Sequence, residues 1–501
     1  MWVLAIFVAL TLRLNAPDIV PYRLDEAITS AFASKIATAR EFPLVGLKTS
    51  FGFHNPPTIF YLAAPIFFLA RDPVWFGILI ALLGVVGVVA IGLATRGLFG
   101  PRAGLAAMLL AGCSANALEH SRRMWGHDFI IPASGLVFWC LFARGNTAPS
   151  RARLAAACAI AALAQSLHLS GILLWIPIAW VAIWHRTEGT IRPTLIAGVA
   201  ALAFVYMPWL VENAHAGWSD VRQIAHVVTS DSGNAIAHPV TPPTAWAFLA
   251  GDGLTDDLLR VLRPWEVSSL NRFFSPLANI GGLGLLAAGL IFGCFRVLSR
   301  DELAFPCAVL LFALTAPLLV FGVLFSASVP AYMLPAFVPL VMLGAGLFSR
   351  CETPRQGMAL VLIYAAVSMG GSTSTLELRA QVTAHPEIAV PTIAGLRELA
   401  VEVAATEFPI RQDARLRSTG SDTALVFMYY AVSGRAAIPQ QFRDGEPLLV
   451  AVDPQTILRP GVAAILRSAK TKQVGGYALH LLTPELAREY DATVNEGSPP
   501  R

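Results

Sequence analysis

Long apolar runs broken by short polar stretches occupy most of this 501-residue chain. They lie near residues 1–15, 73–95, 103–119, 128–143, 154–167, 170–185, 194–211, 276–296, 303–326, 330–349 and 357–372. Repeated runs of this kind predict helices in hydrocarbon, and about eleven membrane spans. The first, MWVLAIFVALTLRL, has no basic leader and no small-residue cleavage site. It is expected to be an uncleaved helix rather than a signal peptide. A twelfth run, 56–70, differs from the rest: it opens with Pro56-Pro57 and contains Pro65. As a helix it reaches only about 22 Å, short of a hydrocarbon core of about 30 Å, so it is expected to lie in the interface.

Two regions carry other patterns. In residues 27–40, Ile28, Phe32 and Ile36 repeat every four residues with Lys35 and Arg40 off the stripe, which predicts an amphipathic surface helix. After about residue 385, IAGLRELAVEVAATEF has helical periodicity, while TALVFMYYAV, PLLVAV and GYALHLLT look like short strands. The expected organisation is therefore a transmembrane region, 1–375, and a small extracytoplasmic α/β domain, 385–501. The basic residues orient the spans. Arg96 with Arg102, Arg144 with Arg151 and Arg153, Arg186 with Arg192, Arg296 with Arg300, and Arg350 with Arg355 sit in alternate loops. Lys and Arg accumulate in cytoplasmic loops. The other loops then face outward, including a first outer loop, 16–72, and a long one, 212–275. With 56–70 in the interface, Asp25 is outside; were that run to span, Asp25 would be cytoplasmic.

Composition agrees and excludes other classes. Hydrophobic residues make up 55% of the chain and charged residues 14%, against about 25% charged in soluble domains. A net charge of +4 does not suggest nucleic acid. The six cysteines form no CxxC and avoid both long polar stretches, so neither a disulfide framework nor a zinc site is expected.

The candidate chemistry begins at YRLDEAITSAF, residues 22–32, where two carboxylates, Asp25 and Glu26, open the surface helix. Asp is a favoured helix cap, and capping needs only one carboxylate. The functional reading is a carboxylate at the bilayer surface near cations that hold an anionic headgroup; both can hold at once. Lys48 and His54 follow in LVGLKTSFGFHNPPTIFYL. Arg122, Arg123 and His127 lie in EHSRRMWGHDFIIP, where the arginines could also simply anchor lipid headgroups. His168, in SLHLSGILL, sits between two helical runs; it either faces a cavity or bonds backbone carbonyls of its own turn. In the long outer loop His215, Asp256, Asp257 and Arg263 read first as solvated surface. No Asp-x-Asp occurs in the membrane-proximal outer loops, and no metal site is expected.

These segments, in this order, resemble GT-C type membrane glycosyltransferases of the protein O-mannosyltransferase and aminoarabinose transferase superfamily. LDEA is similar to that family's Asp-Glu motif, FHNPPTIFYL to its Pro-Pro motif, EHSRRMWGHDFIIP to its Arg-bearing outer loop, SLHLSGILL to its His turn, and VPAYMLPAFVPLVML, with Tyr332, to its late Tyr-Leu-Leu-Pro helix. The likeness covers roughly residues 1–370. Two departures stand out: no cation precedes Tyr332, and Asn55 interrupts His-Pro-Pro.

The resemblance implies a polyprenyl-phosphate-linked sugar donor, a lipid, glycan or protein acceptor, inversion at the anomeric carbon and no cofactor. It also implies an active site on the outer face of the plasma (inner) membrane. Asp25 is implied as the base, and Glu26, Lys48, His54, Arg122, Arg123, His127, His168 and Tyr332 as substrate-binding residues. A transporter or flippase of a lipid-linked or anionic substrate is the alternative. Its polar residues belong at mid-span, whereas here they gather at the outer boundary.

Overall fold

The expected apolar runs are helical, in whole or in part, wherever the computed structural model describes them. The structure describes residues 1–22, 24–49, 52–229, 269–317, 319–320, 330–351, 353–384, 392–404, 410–411, 448–452, 460–474 and 477–495. The expected strand at 423–432, most of the loop 212–275, and Asp256, Asp257 and Arg263 lie outside these residues. The first eleven helices are α1 (Trp2–Leu14), α2 (Leu24–Ala37), α3 (Thr58–Leu69), α4 (Val74–Phe99), α5 (Pro101–Cys113), α6 (Ala115–Glu119), α7 (Ile130–Phe142), α8 (Arg151–Leu167), α9 (Trp175–Trp184), α10 (Ile191–His215) and α11 (Ser219–Thr229). Helices Ser269–Ser299, Ala304–Pro317, Phe337–Phe348 and Pro354–Ala384 follow. Among the described residues three segments, Val74–Phe99, Ile191–His215 and Ile280–Ser299, are long and apolar enough to cross a membrane. At 12 residues α3 is about 18 Å long, shorter than the hydrocarbon core.

The chain divides into two units. The first comprises residues 1–15, 43–61 and 77–378. Its core is one apolar cluster drawn from α1, α4, α5, α7, α8, α9 and the helices after residue 280. Glycine sets the spacing where α4 meets α7: a Cβ on Gly135 would lie 2.8 Å from the Gly87 carbonyl oxygen. Small residues allow such close approach where helix contacts cannot draw on hydrophobic expulsion from water.

The run expected at 103–119 is interrupted. Ser114 is extended, ends α5 and caps α6, its hydroxyl accepting from the Ala117 amide. The break frees the last carbonyls of α5, and because these residues are buried, protein groups must satisfy them. Arg13, almost wholly buried, donates to Gly112 O at 3.0 Å and Ala111 O at 3.4 Å. Ser372 donates to Cys113 O at 2.7 Å. The cationic head of Arg13 also complements the negative end of that helix.

The second unit comprises residues 16–42, 62–76 and 379–501. A four-stranded sheet, in the order β1-β2-β4-β3, joins β1 (Ile410–Arg411), β2 (Leu448–Val452), β3 (Lys470–Val474) and β4 (Tyr477–Leu482). β1 runs parallel to β2, and the other pairs are antiparallel. Val450, Val452 and Leu482 point from one face into a core with Val462, Ile465, Leu466 and Tyr490 of the helices Pro460–Ser468 and Pro484–Asn495. β2, β4 and the helix Ile393–Ala404 lie where the sequence pattern places them; β1 and β3 are additional strands.

The segment after α1 is tied to the chain's later part inside this unit. The Ile393 amide donates to Val20 O at 3.2 Å and the Ala394 amide to Asp18 O at 2.9 Å. The Arg397 guanidinium pairs with Asp18 at 3.4 Å and Asp72 at 2.8 Å. The next residues begin α2. Its buried face is Glu26, Ala27, Thr29, Ser30 and Ala33, while Ile28, Phe32 and Ile36 are only half-buried. The apolar stripe is thus left partly exposed, and the small and polar residues pack inward.

Candidate active site

Asp25 and Glu26 stand in the first turn of α2. Asp25 is half-buried and Glu26 is 2% exposed. Tyr22, just before them, is fully buried. Burial, with the negative charges of Glu26 and Asp72 adding to it, pushes its phenol well above the ordinary value. Tyr22 is thus held as a neutral hydroxyl beside an acidic turn. These residues belong to the second unit; Lys48, His54, Arg122, Arg123, His127, His168 and Tyr332 belong to the first.

Within the first unit, Lys48 and His54 are partners in an antiparallel bridge. Gly52, at φ +91°, turns the chain between them. The Trp209 indole N–H donates to His54 O at 2.9 Å. His54 Nδ1 lies 3.1 Å from Asp220 Oδ1, and Asn213 donates to Asp220 Oδ2 at 3.3 Å. The last turns of α10 and the start of α11 therefore orient His54, whereas Lys48 is exposed.

A second cluster forms where the segment 120–129, the end of α8 and the 3₁₀ helix Pro330–Ala336 meet. Gly126 and the following residues make a 3₁₀ turn, Gly126–Phe129, against α8: a Cβ at Gly126 would lie 2.2 Å from the Leu167 carbonyl oxygen. That approach brings the His127 ring to 3.6 Å from the His168 ring, centroid to centroid. Tyr332 follows at 5.0 Å from His168. On the other side, Trp125 meets His127 edge-on at 4.1 Å, and the Arg123 guanidinium lies 4.6 Å from the Trp125 ring centroid. The result is an aromatic column with a cation at one end.

Asp128 pins the segment. Wholly buried, it accepts from the Trp125 amide at 3.3 Å and lies 3.2 Å from His120 Nδ1. Arg122 is directed elsewhere, donating to Asn15 O at the end of α1 at 2.6 Å.

The histidines of the column are neutral. Burial, then the neighbouring His168, His120 and Arg123, holds His127 well below its ordinary value. Burial, with His120 adding, takes His168 down to about 3. His168 Nδ1 accepts from the Ser170 amide at 3.3 Å and lies 2.8 Å from the Ser170 hydroxyl, capping the 3₁₀ helix Leu169–Leu174. The proton of the neutral ring is then on Nε2. So His168 does bond its own turn, through an amide rather than the carbonyls considered from sequence. It can still offer an N–H to a ligand, as a dipole and not as a cation. Among the described residues no group of three or more His, Cys, Asp and Glu is arranged to hold a metal ion.

No protein-family model matches the sequence, and no curated protein matches it. Solved structures do. ArnT from Cupriavidus metallidurans bound to undecaprenyl phosphate is similar over 97% of this chain and 98% of its own, with a TM-score of 0.62 at 14% identity. The apo form of the same protein is similar over the same shares, with a TM-score of 0.60 at 15% identity. The chain has the GT-C fold. The apo oligosaccharyltransferase of Archaeoglobus fulgidus aligns with 88% of this chain and 64% of its own, with a TM-score of 0.49 at 14% identity.

Within this GT-C fold, sequence reasoning passed over three groups the structure makes prominent. Arg13 lies inside the first apolar run, where a lone Arg is itself a signal. His120 and Asp128 form a buried pair eight residues apart, next to residues that had been singled out. Asp220 and Asn213 hold His54 from 150 residues or more away, and no local pattern announces that.

Proposed function

We propose that this chain transfers a sugar from a polyprenyl-phosphate carrier to a hydroxyl of a lipid, glycan or protein acceptor at the outer face of the plasma membrane. The observation that carries the reading is the likeness of nearly the whole chain to ArnT, one structure of which holds undecaprenyl phosphate. The residue chemistry supports it. The acceptor oxygen attacks the anomeric carbon as its bond to the carrier phosphate breaks, inverting that centre. The acceptor proton goes to a carboxylate, for which Asp25 is the candidate. Charge grows on the departing phosphate, and fixed cations there favour the transition state. Lys48 and Arg123 are the candidates, with His54 beside Asp220; Arg122 joins them only on releasing Asn15 O. The neutral rings of His127 and His168, and the Tyr332 hydroxyl, suit binding of sugar or phosphate oxygens by hydrogen bonds. Glu26 is the further candidate for binding sugar or acceptor.

The test is transfer of label from radiolabelled polyprenyl-phosphate sugars into a membrane extract by purified protein. Asp25→Asn should lower the rate at least about a hundredfold. Transfer that survives the substitution would remove Asp25 as base, and no transfer from any such donor by the wild type would overturn the reading as a whole. Cysteine labelling at position 25 from the cytoplasmic side only would overturn the outer-face assignment.

A further inference from the structure

Away from the candidate active site, the turn between α9 and α10 holds a groove of about 510 Å³ lined by Arg186, Gly189, Ile191, Arg192, Leu195 and Ile196. We propose that this groove binds an anionic phospholipid of the bilayer, its phosphate between the two guanidiniums and an acyl chain along the apolar wall. This rests on the chain lying in a membrane and not on the glycosyltransferase reading.

The turn is preorganised. Thr190 is buried, its hydroxyl 2.7 Å from Ala182 O and 2.9 Å from His185 O, and its own carbonyl accepts from the Thr194 hydroxyl at 2.7 Å. Gly189, at φ +72°, makes the reversal, and a Cβ there would meet nothing within 4 Å, so the mouth of the groove is open. The nearby acid, Glu188, is engaged by His185, with Oε1 3.0 Å from Nδ1. Among the described residues Arg186 and Arg192 form no ion pair. Two exposed guanidiniums without an ion pair stand on a hydrogen-bonded turn where they can hold an anion, and Arg binds phosphate oxygens in a fork.

The wall below says which anion. Ile191, Leu195 and Ile196 are 38%, 63% and 60% exposed and continue into Val199, at 67%, on the helix α10. That helix is long and apolar enough to span. A ligand that places a negative head at the turn and a hydrocarbon tail on this stripe matches both halves, whereas a free phosphate matches only one. By the distribution of basic loops, this end of α10 is the cytoplasmic one, where basic side chains at helix ends meet anionic lipid.

The experiment is native mass spectrometry of the full chain in mild detergent, titrated with phosphatidylglycerol, with phosphatidylcholine of the same chains, and with inorganic phosphate as competitor. Arg186→Gln/Arg192→Gln should weaken retention of the tightest phosphatidylglycerol about 30-fold, the loss of two arginine contacts at a membrane surface. Arg144→Gln/Arg151→Gln removes equal charge elsewhere and should leave that lipid bound. Leu195→Gln, with both arginines kept, should also weaken it. Retention by the groove variant equal to wild type, equal loss in the charge-matched control, equal binding of phosphatidylcholine, or displacement by inorganic phosphate would each overturn the proposal.

Discussion

His168 offers a measurement that isolates the physics of the aromatic column. Its folded value, about 3, lies below the ordinary imidazole value of 6.5 because burial penalises the charged ring. As pH falls, the unfolded chain takes up this proton first. The contribution is therefore complete above pH 6.5 and is lost progressively toward pH 3, at about 1.4 kcal/mol per pH unit. At pH 5 the loss is about 2 kcal/mol. The perturbation is His168→Asn. Asn keeps an oxygen that can accept from the Ser170 amide, and it is a good cap, but it cannot titrate. It also loses ring contact with His127 and Tyr332, a cost independent of pH that cancels in the comparison. His127 shifts in the same direction in both proteins and largely cancels too. Unfolding by denaturant in detergent, followed by tryptophan fluorescence at pH 7.5 and pH 5, should show the wild type losing about 2 kcal/mol more than the variant over that interval. The same pH dependence in the two proteins would show that the ring titrates freely when folded, and the neutral-column argument would fall.

Gly126→Ala tests how the column is assembled. With Leu167 O only 2.2 Å from the added Cβ, the turn must withdraw from α8, at a cost of about 1–3 kcal/mol. A lowered thermal midpoint and an altered Trp125 fluorescence are the expected readouts. Arg397→Ala removes both ion pairs that join Asp18 and Asp72 to the helix Ile393–Ala404. The pairs are partly exposed, so the loss is about 1 kcal/mol in all. Hydrogen exchange at the Ile393 and Ala394 amides should accelerate about fivefold, while Arg397→Lys should restore part of the protection.

Local information was enough for the helices. A span must hide its backbone from lipid within a single segment, so its length and lack of charge are written consecutively in the chain. β2 and β4 were legible for a different reason: their side chains fill the core of the sheet, so each reads as a short apolar run. β3, KTKQV, was not, because an edge strand can be polar on most of its length and becomes a strand only when β4 supplies its hydrogen bonds. The break at Ser114 was equally hidden: it is sustained by Arg13 and Ser372, far away in the chain. At the candidate site the residue types were readable and their grouping was not. His127, His168 and Tyr332 come from three distant segments, and whether a histidine there carries charge depends on how deeply its neighbours bury it. Likewise the periodicity of α2 marked it as amphipathic, but only long-range packing could select Glu26 and the small residues for the inward face. Sequence supplies the chemistry of each side chain and the local cost of exposing it; which groups meet, and in what protonation state, follows from contacts between residues far apart in the chain, from 41 positions for His127 and His168 to 379 for Asp18 and Arg397.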